Sequence, residues 1–200
     1  MRVEKWMVKD VVTVGKDTDI KKAIRLMKDN SIRHLPVVED DRFLGFVTEG
    51  ELRQLLIPSM LEEIKVKDVM ISDPVTVSPE ADIETAAKLV YHYKIGGLPV
   101  VEKGKLVGIL TVTDILRAFI AMMGILAAGS RLDVVIGDFP ASFEEVYNII
   151  YNNNVKIISL GITSNEEDET VYSFRLEKCK LEPVVESLKK RGYKVVSTFP

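Results

Sequence analysis

The chain has 200 residues, 46% of them hydrophobic, and a formal net charge of −3 from 27 Lys+Arg against 30 Asp+Glu. That is enough apolar material for a packed core, so a disordered chain is excluded. Cut at residue 130, the chain has 18 basic and 19 acidic residues before the cut and 9 and 11 after it, so neither part carries the basic excess of a nucleic-acid binder.

An internal repeat organises the first two thirds, and its elements read in the order strand, helix, strand, strand, helix, twice. Thr13, Asp19, Ala23, Leu26, Ile32, Pro36, Gly45 and Thr48 return at Thr76, Asp82, Ala86, Leu89, Ile95, Pro99, Gly108 and Thr111, each 63 positions later (76 − 13 = 63). The run LPVVE occurs identically at 35–39 and 98–102. In copy one, Val12 and Val14 read as a short β-stretch, and Asp19 opens a helix with Ile20, Ala23, Ile24 and Met27 on one face. Leu35 to Val38 and Phe43 to Val47 then read as strands around a polar turn, and a further helix starts near Glu49. Copy two repeats this with Val75 and Val77, a helix after Asp82 carrying Ile83, Ala86, Ala87 and Val90, strands on either side of Glu102-Lys103-Gly104-Lys105, and a helix from near Val112. Two copies are too few for a solenoid, so they read as one pseudo-symmetric module whose halves bury each other's open faces.

Each copy passes from strand to helix through G-hydrophobic-hydrophobic-T-x-x-D/E: Gly108 to Asp114 in copy two, Gly45 to Glu51 in copy one. Asp114 in the first turn could accept hydrogen bonds from two vicinal ribose hydroxyls, with Thr111 and free helix N–H groups holding an anion. Val75, Val77, Ile109 and Leu98 would give a flat base an apolar slot. The alternative is a capping box, in which Thr and the acidic residue satisfy the orphan N–H groups of the helix start. Thr48 and Glu51 fit the capping box better than Thr111 and Asp114 do.

Together with the repeat, LPVV followed by this motif resembles a tandem pair of CBS domains, the Bateman module, over residues 3–120. The resemblance implies an adenosyl ligand (AMP, ADP, ATP or S-adenosylmethionine) as regulator, with no cofactor required. It implies a site at Thr111, Asp114, Ile109, Val75, Thr76, Val77 and Leu98, with Arg33 and His34 positioned to meet ligand phosphates. A second site would comprise Thr48, Glu51, Phe46, Val12, Thr13 and Gly96.

Beyond Gly129 the repeat stops. Residues 131–136 read as a strand, 143–152 as a helix, 155–162 and 170–176 as strands around the acidic turn 165–169, 181–190 as a helix and 193–198 as a strand. The order βαββαβ predicts a ferredoxin-like sandwich, and by order and size it resembles an ACT-like domain. Its first loop, Gly137 to Ser142, has Ala141 where an ACT amino-acid site often has glycine, so pairing with its own copy is the better expectation. The fold class is thus α/β (α+β), with CBS repeats at 1–62 and 63–129 and an ACT-like domain at 130–200, similar to acetoin-utilisation-type CBS/ACT regulatory proteins.

The sequence carries no nucleophile–base pair, G-x-S-x-G motif or metal-spaced cluster. Cys179 is the only cysteine, so no disulfide framework or cysteine zinc site is expected. The start MRVEKWMVKDVV has no apolar signal stretch and residues 118–128 are too short to span a bilayer, so a cytoplasmic protein without membrane attachment is expected. A charged fraction of 28%, with Gln54 the only glutamine, is thermophile-like. The expected function is non-enzymatic: an adenosyl ligand in the CBS cleft changes dimer and ACT-domain pairing; the sequence does not identify whether the regulated partner is an enzyme. The alternative is a ligand-free assembly platform. Residues 115–128 contain one charge, Arg117, which predicts a helix buried on several sides and a homodimer through Phe119, Met122, Met123 and Leu126.

Overall fold

The computed structural model describes residues 1–53, 64–127, 129–137 and 140–200, the backbone alone at 140 and 141. The described chain divides into two compact units, Met1–Ala118 and Phe119–Pro200.

In the first unit, α1 (Ile20–Asp29) leads into the hairpin β1 (His34–Glu39) and β2 (Arg42–Thr48), followed by α2 (Glu49–Arg53). Copy two gives α3 (Ile83–Tyr93), β3 (Gly97–Glu102), β4 (Lys105–Thr111) and α4 (Val112–Met122), whose last residues, from Phe119, belong to the second unit. The four strands form one sheet in the order β1-β2-β4-β3, antiparallel throughout. Ile20, Ala23 and Met27 are buried on α1 at helical spacing, as the sequence pattern requires. Both helices end by turning through a residue in the left-handed region, Ser31 (φ 53°) and Lys94 (φ 54°), 63 positions apart. The stretches at Val12–Val14 and Val75–Val77 are shorter than expected, since each contributes one parallel bridge, Val14 to Val37 and Val77 to Val100. These bridges explain the LPVV prolines. The Val14 N–H donates to the carbonyl of Pro36 and the Val77 N–H to that of Pro99. The carbonyl and nitrogen of a strand residue point the same way, so each proline nitrogen faces the outer edge, where no ladder bond is lost.

The two copies exchange their leading segments. Arg2 bridges Asp82 and Val8 bridges Ile109, while Lys65 bridges Asp19 and Ile71 bridges Phe46. Residues 2–8, which precede copy one, therefore dock on copy two, and residues 65–71, which precede copy two, dock on copy one. Val3 and Val66 are both fully buried, and Val66 joins the copy-one core of Val14, Ile20, Leu35, Val37 and Leu52. The exchanged backbone runs so close to β2 and β4 that only glycine fits at Gly45 and Gly108.

The second unit contains β5 (Gly129–Val135), α5 (Pro140–Asn152), β6 (Ile157–Ser164), β7 (Thr170–Glu177), α6 (Glu182–Lys190) and β8 (Lys194–Phe199). The sheet order is β6-β7-β5-β8, antiparallel throughout. This is the β-α-β-β-α-β arrangement the periodicity predicts, with boundaries moved by at most three residues. Leu132, Val134, Phe174 and Leu176 on the sheet pack against Val146, Ile150, Val184 and Leu188, placing both helices on one face. The acidic turn is fastened by Asn165, whose side-chain oxygen accepts from the Glu167 and Glu169 N–H groups, and by Lys194, which pairs with both glutamates.

The apolar stretch 115–128 departs from the expected continuous helix. The helix stops at Met122, and Gly124 takes φ 62°, which turns the chain. Ser159 Oγ then donates to the Met123 carbonyl at 2.7 Å. Ala128, residues 138 and 139 of the expected ACT ligand loop, and the boundary at 62/63 lie outside the described residues.

Candidate functional site

The strand-to-helix junctions of the repeat are both closed by side-chain caps. At the start of α4, the Thr111 N–H and Oγ1 both donate to Asp114 Oδ2, at 3.0 and 2.6 Å, and the Asp114 N–H donates back to Thr111 Oγ1 at 3.4 Å. The other oxygen, Oδ1, lies 3.5 Å from the Arg117 guanidinium. At the start of α2, the Thr48 N–H donates to Glu51 Oε2 at 3.0 Å, as does Thr48 Oγ1, and the Gly50 N–H donates to Thr48 Oγ1. The capping alternative is thus satisfied at both junctions. The two carboxylates nevertheless differ in position. Asp114 is 8% exposed and is not among the residues that line the cleft beside Thr111, whereas Glu51 lines a cleft.

Each junction opens onto a cleft. The first, about 280 Å³, is lined by Ile109, Thr111 and Val112 from copy two and by Asp10, Val12, Ser31, Arg33 and His34 from copy one, with Gly96. The second, about 380 Å³, is lined by Phe46, Thr48 and Glu51 from copy one and by Asp73, Val75, Tyr93, Lys94 and Gly97 from copy two, with His34 and Gly96. The expected grouping of residues is therefore crossed. Val75 belongs with Thr48 and Glu51, and Val12 with Thr111. The exchanged segments cause this, because Val8 pairs with Ile109 and carries Val12 to the copy-two junction, while Ile71 pairs with Phe46 and carries Val75 to the copy-one junction.

Other expected residues stand apart from both clefts. Leu98 and Val77 are core residues, 0% and 5% exposed, because β3 and the Val77 bridge lie inside the module. Thr76, the neighbour of Val77, points outward and lines neither cleft. Thr13 lines a separate depression with Lys9 and Lys105. Asp10, Ser31, Asp73, Tyr93 and Lys94 line the clefts without having been expected. A signal for two of them was present, since Asp10 and Asp73 stand 63 positions apart (73 − 10 = 63) like the other repeat residues.

His34 stands between the clefts and lines both. Its ring stacks on Phe46 with centroids 5.6 Å apart and planes 11° from parallel. A Cβ at Gly96 would lie 2.9 Å from His34 Nε2, so the bare Gly96 backbone makes room for this ring. Burial holds the imidazole below its ordinary pKa, the Arg33 charge adds to that, and Glu51 opposes it. The partition is thereby an uncharged ring at neutral pH.

Among the described residues, no group of three or more His, Cys, Asp and Glu could hold a metal, and no helix is long and apolar enough to cross a membrane.

A pseudo-two-fold module with a cleft at each strand-to-helix junction defines the class, and comparison with known proteins gives the family. The CBS domain family model matches residues 3–58 and 66–121, and the chain belongs to that family. Over 115 residues it is 38% identical to inosine-5'-monophosphate dehydrogenase of Korarchaeum cryptofilum, covering 57% of this chain but only 23% of that enzyme. The uncharacterized protein MJ0188 of Methanocaldococcus jannaschii is 30% identical over 199 residues, covering 96% of this chain and 71% of the relative. A Vibrio cholerae structure described as an acetoin utilization protein, AcuB, superposes with TM-score 0.58 and 31% identity over 63% of this chain and 96% of that one. CBSX2 of Arabidopsis thaliana in complex with AMP gives TM-score 0.55, 30% identity and coverage of 60% and 96%. The CBS pair of protein MJ0100, in complex with 5'-methylthioadenosine and S-adenosyl-L-methionine, gives TM-score 0.55, 25% identity and coverage of 60% and 95%.

Proposed function

We propose that this chain is a non-catalytic regulatory protein that senses an adenosyl ligand in its CBS pair. The observation that carries the reading is the duplication of one constellation. In each cleft a junction threonine, Thr111 or Thr48, sits with a valine just beyond the exchanged segment, Val12 or Val75, and a large apolar residue of the strand, Ile109 or Phe46. A threonine hydroxyl at a helix start suits ribose or phosphate oxygens, and the apolar pair suits a flat base. The complexes of CBSX2 with AMP and of MJ0100 with methylthioadenosine and S-adenosylmethionine support the class of ligand. The protein acts in the cytoplasm. The C-terminal unit is an ACT-like domain that pairs with its own copy and transmits the signal, a reading supported by its β-α-β-β-α-β order. The protein is a homodimer joined near residues 115–128, supported by the exposure of Met122, Met123 and Leu126 at 47%, 45% and 84%.

A second reading, a ligand-free assembly platform, is favoured by the engagement of both junction carboxylates in caps, which leaves Asp114 recessed from its cleft. Calorimetric titration of the purified chain with ATP, AMP and S-adenosylmethionine separates the two. Saturable binding of one of these at micromolar to millimolar concentration is the expected result. Absence of binding by all three would favour the platform.

A further inference from the structure

We infer that the two clefts, taken as the adenosyl sites proposed above, select ligands of different charge: the Thr111 cleft a nucleotide phosphate, and the Thr48 cleft an adenosyl compound with a cationic or uncharged tail, such as a sulfonium.

The inference rests on where the repeat breaks its own symmetry. Positions 63 apart line equivalent walls, and Asp10 and Asp73 give each cleft one carboxylate. The other charges are not matched. Arg33 lines the Thr111 cleft, and its equivalent in the Thr48 cleft is Gly96, which carries no side chain. Arg33 has no ion-pair partner among the described residues, so its forked donors are available to a phosphate bidentately. Conversely, Glu51 lines the Thr48 cleft, while its equivalent Asp114 is 8% exposed and outside the Thr111 cleft. The longer glutamate caps Thr48 with Oε2 and still presents its charge to the cleft. A phosphate in the Thr48 cleft would meet both Glu51 and Asp73, and like charges at close range disfavour it. Lys94 is the cation there; it is exposed, as Arg33 is, but its ammonium is a point charge without the planar fork that grips a phosphate bidentately, and Glu51 stands in the same cleft. His34, uncharged and shared by both clefts, does not alter the contrast.

The test is calorimetric titration of the full chain with AMP and with S-adenosylmethionine, in wild type, Arg33→Gln and Glu51→Gln. Glutamine keeps an oxygen for the Thr48 N–H, so Glu51→Gln removes the charge while retaining the cap, and thermal melts verify that each variant is folded. Arg33→Gln is expected to weaken AMP roughly ten- to a hundred-fold and leave S-adenosylmethionine unchanged. Glu51→Gln is expected to weaken S-adenosylmethionine about fivefold and to leave AMP unchanged or tighter. Parallel effects of each variant on both ligands, or mutual displacement of the two ligands at a single site, would overturn the inference while leaving the adenosyl reading intact. A folded wild-type chain that binds neither ligand would overturn that reading and the inference with it.

Discussion

At Gly45 a Cβ would lie 2.6 Å from the carbonyl oxygen of Ile71, and at Gly108 one would lie 2.9 Å from that of Val8. Both obstacles are backbone of an exchanged segment, which cannot swing aside as a side chain can. Gly45→Ala should therefore destabilise the protein by about 1–3 kcal/mol, read as a lower urea midpoint. Gly15→Ala, whose added Cβ meets nothing closer than 3.9 Å, should shift stability by less than about 0.5 kcal/mol. A second prediction concerns His34. Burial lowers its folded-state pKa below the ordinary 6.5, so the unfolded chain binds the proton more readily than the folded one. Its linkage therefore leaves stability undiminished above pH 6.5 and reduces it as the pH falls below 6.5 towards the folded-state value. His34→Gln should flatten the stability profile in that window relative to wild type. Equal slopes for the two proteins would show that the imidazole is not held neutral by the fold.

The helices and strands were legible because their signals are local. A 3.6-residue period marks Ile20, Ala23 and Met27, and turn residues punctuate the hairpins. The paired junction motifs were legible as well, since Thr48 and Thr111 sit at identical points of the repeat. The exchange of leading segments was not. It is made by contacts such as Val8 to Ile109 and Arg2 to Asp82, which join distant parts of the chain and leave no periodic trace. For the same reason sequence position alone pairs Val12 and Val75 with the wrong threonines, and it does not show that Leu98, in a run of consecutive buried residues, is core and not cleft wall. Through the exchange, Val3 and Val66 are equivalent supports, each fully buried on the other copy. Val3→Ala and Val66→Ala should each cost about 1.5–3 kcal/mol in denaturant unfolding, despite the nearness of Val3 to the chain start. A negligible effect at Val3 would mean that residues 2–8 are not docked.

For the whole molecule, the unmatched feature is the apolar stretch after Ala118. In place of a long buried helix, the chain turns at Gly124 and leaves Met122, Met123, Ile125 and Leu126 between 43% and 84% exposed. Such side chains are expected to be covered by a second copy. Met122→Glu should then convert a dimer to monomer in light scattering at micromolar concentration. A wild-type monomer would contradict the dimer. The central claim is that adenosyl ligands bind in clefts assembled from both copies, each junction threonine paired with the other copy's valine. Methyl-group NMR of the full chain during titration with AMP and S-adenosylmethionine tests this most directly. Saturable shifts of Val12 together with Ile109, and of Val75 together with Thr48, are the predicted result. Shifts that group Val75 with Ile109, or no shift in either set at millimolar ligand, would contradict it.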